Sequence, residues 1–431
     1  MSKSSYSNTI FCWSATLLLC CFFAVPAAAE NWPQWRGSQM NGIGSAENAP
    51  IKWDRETNVI WRFALPGPAP STPVIWGDRI FLTSESGGNS LLMAIGTDGK
   101  KLWQRVIGQN NRDIRQGESN ATAPSPVTDG KHVWAFLGTG ELVCFSLDGE
   151  LVWETNLENR YGEFNTYWGF ATSPLLDGDR LYLQLLHENA QLVLALDKLT
   201  GDEIWKQNRA TDARSECLHS YASPVMYRHN GLTQLITHGA DYVVAHNPDS
   251  GEELWRCGGL QQSGSYNPNL RFVATPVTAA GLIVVPSAKN GPVLGLNPHG
   301  AVGNITGAEK FYHWKLPQNT SDVPSPLVFD GLVYICRENG ILICLDANTG
   351  EEIYQESVYR NRHRGSPVIA DGRIYLSAYD GTVSVIKAGR EYQLLAQNKM
   401  DERLSASPVF GNNILFLRTS EALYAISEMS E

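Results

Sequence analysis

The stretch Ala195-Leu196-Asp197-Lys198-Leu199-Thr200-Gly201-Asp202-Glu203-Ile204-Trp205 decides the fold. It reads as the end of one strand, a tight turn and the start of the next. Asp197 can accept from backbone donors across the turn and Gly201 can take a positive φ. Trp205 offers a large face for packing between adjacent units. The same offsets return as Ala245, Asn247, Gly251 and Trp255, and as Cys344, Asp346, Gly350 and Tyr354. Upstream of each such turn stands a Ser/Thr-Pro pair followed by an apolar residue. These pairs are Thr72-Pro73, Ser125-Pro126, Ser173-Pro174, Ser223-Pro224, Thr275-Pro276, Ser325-Pro326, Ser366-Pro367 and Ser407-Pro408, at steps of 41–53 residues. Within each copy come a Gly turn, a β-rich run such as Arg180-Leu181-Tyr182-Leu183, a second turn and a second apolar run.

Four short strands per unit of this length predict an all-β, eight-bladed β-propeller of four-stranded antiparallel blades. Six outer strands carry tryptophan (Trp61, Trp103, Trp153, Trp205, Trp255 and Trp314), Tyr354 replaces it once, and the seventh repeat has Leu394 nearby. The last repeat, residues 408–426, supplies only three strands, while residues 58–63 form an orphan strand before the first Ser/Thr-Pro. The N-terminal strand is therefore expected to complete blade eight and close the ring without loose edges.

Composition agrees with one large globular unit. The chain has 431 residues, 43% hydrophobic and 18% charged, with a net charge of −10. That excludes global disorder, and the acidic balance argues against a nucleic-acid partner. Residues 1–29 read as a secretory signal peptide: Lys3, an apolar stretch over 16–25, and Ala27-Ala28-Ala29 before Glu30. An uncleaved anchor, or a lipoprotein at Cys20, are the alternatives. No other segment is long and apolar enough to span a bilayer, so an exported protein of the periplasm or cell envelope, monomeric, is expected. The remaining boundaries are an N-terminal segment over 30–56, the propeller over 57–427 and a tail over 428–431. Cleavage would leave Cys144, Cys217, Cys257, Cys336 and Cys344, an odd and scattered set that is no disulfide framework. Cys144 and Cys344 stand where other repeats have Ala195 and Ala245, as small core residues.

The Ala-x-Asp-x3-Gly-x3-Trp pattern resembles the PQQ-like propeller repeats, which occur in quinoprotein alcohol dehydrogenases and in non-catalytic envelope propellers of the BamB type. The segment Trp32-Pro33-Gln34-Trp35-Arg36-Gly37 is similar to the opening motif of a group of secreted bacterial propellers. The dehydrogenase branch implies adjacent cysteines over the quinone and a Ca²⁺ set of Glu, Asn and Asp. The only adjacent pair here, Cys20-Cys21, would leave with the leader, and Asn290, Glu338 and Asp380 are the available oxygen donors. No cofactor is therefore expected, with PQQ and Ca²⁺ as the alternative. The BamB-like branch implies a binding scaffold.

Strand alternation puts the second-to-third turns and the blade-to-blade links on one face. That face collects Trp168, Glu216, His219, Tyr221, His238, Asp241, Arg271, Lys289, Asn290, Arg337, Glu338, Asn339, Arg362, His363 and Arg364. Residues just before each Ser/Thr-Pro should ring the central funnel. A cationic mouth of this kind would suit an anionic or polyhydroxylated ligand, or an envelope protein. The competing reading is of ordinary hairpin turns and solvated loop charges. His219, His238 and His363 with Glu216 and Asp241 could form an acid/base or metal group, but no short-range ligand spacing supports it. No metal site is expected. An enzyme at the same mouth, a quinoprotein oxidoreductase or a metal-assisted lyase or hydrolase on acidic carbohydrate, is the alternative to a scaffold.

Overall fold

The structure, a computed structural model, describes residues 1, 3, 30–111, 119–261, 264 and 266–428. The leader reading falls outside these residues except at Met1 and Lys3. Eight sheets follow one another along the chain, each built on four antiparallel strands, which in blades one to seven come from a single repeat. In blade three these are Leu175–Asp177, Arg180–His187, Ala190–Asp197 and Glu203–Asn208. Blade eight is composite. Val59–Ala64 pairs antiparallel with Ala422–Ile426 and takes the outer position of that sheet, so the first strand closes the ring. Glu402 fastens this joint. Its buried carboxylate accepts from Arg62 Nη2 on the N-terminal strand at 3.1 Å, from Tyr424 Oη on the C-terminal strand at 2.6 Å, and from the Thr419 hydroxyl.

The Ser/Thr-Pro pairs have a physical purpose that the repeat alone did not disclose. Proline removes one backbone donor, but the Ser or Thr before it keeps its own N–H, which points to the next blade. Thr72 N donates to Ser125 Oγ (2.9 Å), Ser125 to Ser173 (2.9 Å), Ser173 to Ser223 (3.0 Å) and Ser223 to Thr275 (3.0 Å). Thr275 donates to Ser325 (2.9 Å), Ser325 to Ser366 (2.9 Å) and Ser366 to Ser407 (3.0 Å), and Ser407 N returns to Thr72 Oγ1 (3.3 Å). Eight hydrogen bonds thus run in one direction around the axis and close on themselves. All eight residues are buried, so each bond satisfies a donor that water cannot reach.

The tryptophans hold the periphery. The indole N–H of Trp61, Trp103, Trp153, Trp205 and Trp314 donates to a turn carbonyl of the following blade (Thr97, Leu147, Lys198, Pro248 and Ala347) at 2.7–3.0 Å. The ring face covers the glycine of that turn. At Gly251, φ is +74° and a Cβ would lie 2.4 Å from Trp205. Across the sheet the tryptophan faces a small residue: Ala195 opposite Trp205, Cys144 opposite Trp153. This is why cysteine and alanine interchange at that position, and all five described cysteines are free and buried. Trp255 departs from the rule. Blade five replaces the tight Gly turn with an excursion whose Gly303–Asn304 adds a parallel fifth strand to blade four, and the Trp255 indole donates instead to Gln234 Oε1 at 3.1 Å.

The Trp32-Pro33-Gln34-Trp35-Arg36-Gly37 segment lies across the face opposite the long links. Trp32 exchanges backbone hydrogen bonds with Ile75 in blade one, Pro33 O accepts from Thr128 in blade two, and Gln34 Oε1 accepts from Leu176 in blade three. Arg36 Nη2 donates to Pro326 O in blade six at 2.5 Å, and Gly42 and Gly44 pair with Ile369 in blade seven. Trp35 reaches the axis and floors the central channel. No helix among the described residues is long and apolar enough to cross a membrane.

Candidate functional site

The site follows from the ring. Two residues before each ring hydroxyl stand Pro70, Ala123, Ala171, Tyr221, Val273, Val323, Arg364 and Ser405, and all eight line both the upper funnel and the channel beneath it. Successive side chains on a strand point to opposite faces, so a spacing of two places both rings on the axis. Ser119, Trp168 and Arg271, from the links into blades two, three and five, raise the funnel wall to enclose a cavity of about 180 Å³. Trp35 lies in the channel below both rings.

Five of the eleven wall residues are apolar (Pro70, Ala123, Ala171, Val273 and Val323), and the other six are two arginines, two serines, Trp168 and Tyr221. Arg271 is held between two carboxylates, Glu216 at 3.8 Å and Asp322 at 3.5 Å. Glu216 also accepts from Trp168 Nε1 at 2.9 Å, which orients the partly exposed indole at the rim. Arg364 pairs with Glu338 at 3.2 Å, and Arg362 reaches the same Glu338 oxygen at 3.4 Å. The arginines are thus fixed in direction by carboxylates behind them, and the mouth is closer to charge balance than a count of cations implies. Burial pushes the Tyr221 phenol up, against the opposing effects of the Trp168 backbone and Arg271, so it stays protonated at neutral pH.

Of the residues singled out from sequence, the structure places Trp168, Tyr221, Arg271 and Arg364 on the funnel wall, with Glu216 and Glu338 directly behind them. Lys289, Asn290, Arg337 and Asn339 sit on the outer rim. Arg337 bonds Asn290 Oδ1 at 3.2 Å, Lys289 Nζ reaches Asn269 O at 3.5 Å, and Asn339 Oδ1 accepts within its own turn. Arg362, Glu338 and Asn339 border a separate shallow hollow with Arg360.

The three histidines do not converge. His219 is buried beside the funnel, its ring edge-on to Tyr167 (centroids 4.6 Å apart) and 3.8 Å from Glu188; burial lowers its pKa. His238 is wholly buried between blades against Phe272, and burial pushes it down to about 3. His363 Nδ1 pairs with Asn361 O at 3.0 Å, and burial lowers its pKa as well. Asp241 lies in a lateral loop cluster, accepting from Gln261 Nε2 at 2.9 Å and Tyr266 Oη at 2.6 Å; burial raises it in spite of these bonds. The proposed acid/base group is therefore dispersed over four settings. Sequence reasoning missed Asp322, Trp35 and the apolar wall. The wall was readable, since it stands at a constant offset from the Ser/Thr-Pro, but a scan for charged residues passes over valine and alanine.

A quinone with Ca²⁺ does not fit these residues. Glu338 is engaged by two arginines, Asn290 by Arg337, and Asp380 accepts from Tyr359 Oη at 2.7 Å, so the three oxygen donors are committed apart. None of the described cysteines reaches the funnel.

Fold and funnel together define an eight-bladed propeller of PQQ-like repeats with Trp35 of its N-terminal segment in the axial channel. The chain belongs to the family described as outer membrane protein assembly factor BamB, whose model matches residues 43–159, 98–356 and 298–430. Among solved structures it is similar to BamB from Moraxella catarrhalis (TM-score 0.62, 13% identity, 86% of this chain and 98% of that one). It is similar also to quinohemoprotein alcohol dehydrogenase from Comamonas testosteroni (TM-score 0.65, 12% identity, 93% and 81%). A computationally designed protein, Ika8, shares the architecture (TM-score 0.58, 11% identity, 90% and 99%). At such identities the likeness is one of fold. No curated protein matches the chain.

Proposed function

We propose that this protein is an exported, monomeric scaffold of the cell envelope that binds an extended segment of a partner protein in its axial funnel. The observation that carries the reading is the convergence of Trp168, Tyr221, Arg271 and Arg364 on one cavity whose other lining residues are small or apolar. Apolar walls with a few convergent polar groups are the usual composition of a recognition pocket. Trp168 and Tyr221 would pack on the segment, and the two carboxylate-backed guanidiniums would take an acidic side chain or terminal carboxylate. Membership of a family named for outer-membrane protein assembly supports a protein partner over a small metabolite.

A second reading rests on a different surface. Ile60, Leu102, Val106, Leu151, Val152 and Ile204 are exposed on the outer strands of the adjacent blades eight, one, two and three. The test separates the two. Capture from an envelope extract is compared for the wild type, for Trp168→Ala with Arg271→Gln, and for Leu102→Asp with Val152→Asp. A specific partner lost tenfold or more only in the funnel variant supports the proposal. Undiminished capture by the funnel variant, with loss in the outer-strand variant, overturns it.

A further inference from the structure

The outer strand of a propeller blade has a free edge whose backbone groups are open to a further strand. This chain covers one such edge itself. On blade four the excursion from blade five lays Gly303–Asn304 parallel to the outer strand Glu253–Cys257, with Gly303 opposite Trp255 and Asn304 opposite Arg256. Ile305 N then donates to Arg256 O at 2.9 Å, and Thr306 Oγ1 accepts from Gly258 N at 2.7 Å. Gly303 takes φ +66°, and Ile305 is buried in the same core cluster as Trp255. The added segment thus reads small, polar, apolar. Beside it Trp255 is fully buried and Leu254 is partly buried.

Blade two presents the same edge without a cover. Its outer strand Leu151–Asn156 aligns with Glu253–Cys257 on the shared tryptophan: Trp153 pairs with Cys144 as Trp255 pairs with Ala245. Among the described residues nothing pairs with its outer edge. Leu151 and Val152 are 51% and 45% exposed, and Trp153 is itself partly exposed. Leu199, on the turn whose Lys198 carbonyl accepts the Trp153 indole, is exposed as well. Free edges are commonly guarded by charge, lysine above all. The outer strand of blade one carries Lys101 and Arg105, and that of blade three carries Glu203 and Lys206. Blade two has Glu154 alone and no lysine.

We propose that the outer edge of blade two is a docking site for an extended segment of a partner polypeptide. The segment adds parallel to Leu151–Asn156, in the register that residues 303–305 take on blade four. A small residue lies opposite Trp153, and an apolar residue two positions later buries its side chain as Ile305 does. The carbonyl of Arg256 faces outwards, since it accepts from Ile305 N, and Glu154 stands at the equivalent place one residue after the tryptophan. The N–H and C=O of one strand residue point to the same side, so Glu154 offers the outward pair. Strand addition draws affinity from such main-chain bonds and selectivity from alternate side chains. The site lies on the circumference of the ring and is independent of the funnel.

The probe is a capped synthetic peptide with the sequence of residues 300–307 of this chain, added to the purified wild-type protein and read by amide hydrogen exchange. Saturating peptide should slow exchange at least tenfold within residues 151–156, with less than twofold change on the outer strands of blades one and three. A peptide carrying Ile305→Asp should bind at least tenfold more weakly. So should the intact peptide to protein carrying Glu154→Pro, which removes the outward N–H. Val152→Asp serves as the protein variant if Glu154→Pro does not fold. No slowing at millimolar peptide, slowing on blade one or three instead, or undiminished binding in the folded variant overturns the proposal. Slowing within 151–156 that grows with protein concentration in the absence of peptide, with dimer in sedimentation equilibrium, gives the edge to a second copy of the chain and overturns it too.

Discussion

Replacing Gly251 with alanine tests the proposition that tryptophan-on-glycine contacts join the blades. Gly251 has φ +74°, and an added Cβ would lie 2.4 Å from Cε3 of Trp205 and 2.7 Å from Cγ of Gln207. Two costs follow. The left-handed backbone costs a non-glycine residue about 1–2 kcal/mol. The indole must then retreat, which loosens its 3.0 Å hydrogen bond to Pro248 O, a contribution of about 1 kcal/mol, and part of the packing of a ring that is 8% exposed. The expected loss is about 3–4 kcal/mol. Gly178→Ala is the control. It has φ +57° with nothing within 4 Å of the added Cβ, so only the backbone term of about 1–2 kcal/mol applies. Urea denaturation monitored by tryptophan fluorescence gives both values on one scale. Equal losses in the two variants would mean that the tryptophan contact contributes nothing beyond turn geometry.

Three further outcomes are expected. Ser325→Ala removes the acceptor of the buried Thr275 N–H and should cost about 1–3 kcal/mol by urea midpoint, whereas Ser325→Thr should be tolerated, because threonine already serves at positions 72 and 275. Glu402→Gln should cost about 1–2 kcal/mol, since it weakens the hydrogen bonds from Thr419, Tyr424 and Arg62 at the ring joint while the Arg62 guanidinium, more than a third exposed, remains solvated. Burial opposes ionisation of Glu402, but the bonds from Thr419, Tyr424 and Arg62 outweigh it and hold its pKa below the usual glutamate value. Its contribution is thus present above about pH 4.3 and is lost as pH falls through the folded pKa, and the variant should lack that part of the acid transition. His238 is buried in its neutral form, with its pKa pushed down to about 3 by burial and by Arg209. Stability should therefore be complete above about pH 6.5 and fall as the pH drops towards 3, and His238→Phe should flatten the urea midpoint across that window.

The fold was legible because its grammar is short-range and repeated eight times. Asp197, Gly201 and Trp205 lie within nine residues, and any one copy corrects the reading of another. The strand Val59–Ala64 was recognisable as the missing fourth strand of blade eight for the same reason. The candidate site was legible only in part. Trp168, Tyr221, Arg271 and Arg364 stood out as polar or aromatic residues on the right face, but so did His238, His363 and Asp241, which the fold directs into packing between blades or into a lateral loop cluster. The face follows from strand parity alone. The depth at which a link residue sits depends on how each link folds back, and that is set by long-range contacts such as Asp322 with Arg271, 51 positions apart.

Comparison of the repeats with one another separates what holds the ring from what the ring presents. At the ring position the eight copies allow only serine or threonine, because each must give an acceptor to one neighbour and fit beside seven others around a narrow axis. Two residues earlier, on the same axis, the copies carry proline, alanine, alanine, tyrosine, valine, valine, arginine and serine. Nothing in closure constrains that upper ring, since its side chains project into the funnel and bear no inter-blade hydrogen bond of the cyclic set. A position that varies where packing would permit uniform small residues is one where the molecule distinguishes its blades. Tyr221 and Arg364 break an otherwise small or apolar circle at two blades three steps apart, so a ligand entering the funnel meets a different wall on each side. Under the proposed function, an eightfold scaffold would thereby gain a single preferred orientation for a partner segment, and exchanging Tyr221 with Ala171 should rotate or abolish that preference while leaving the urea midpoint set by the ring below.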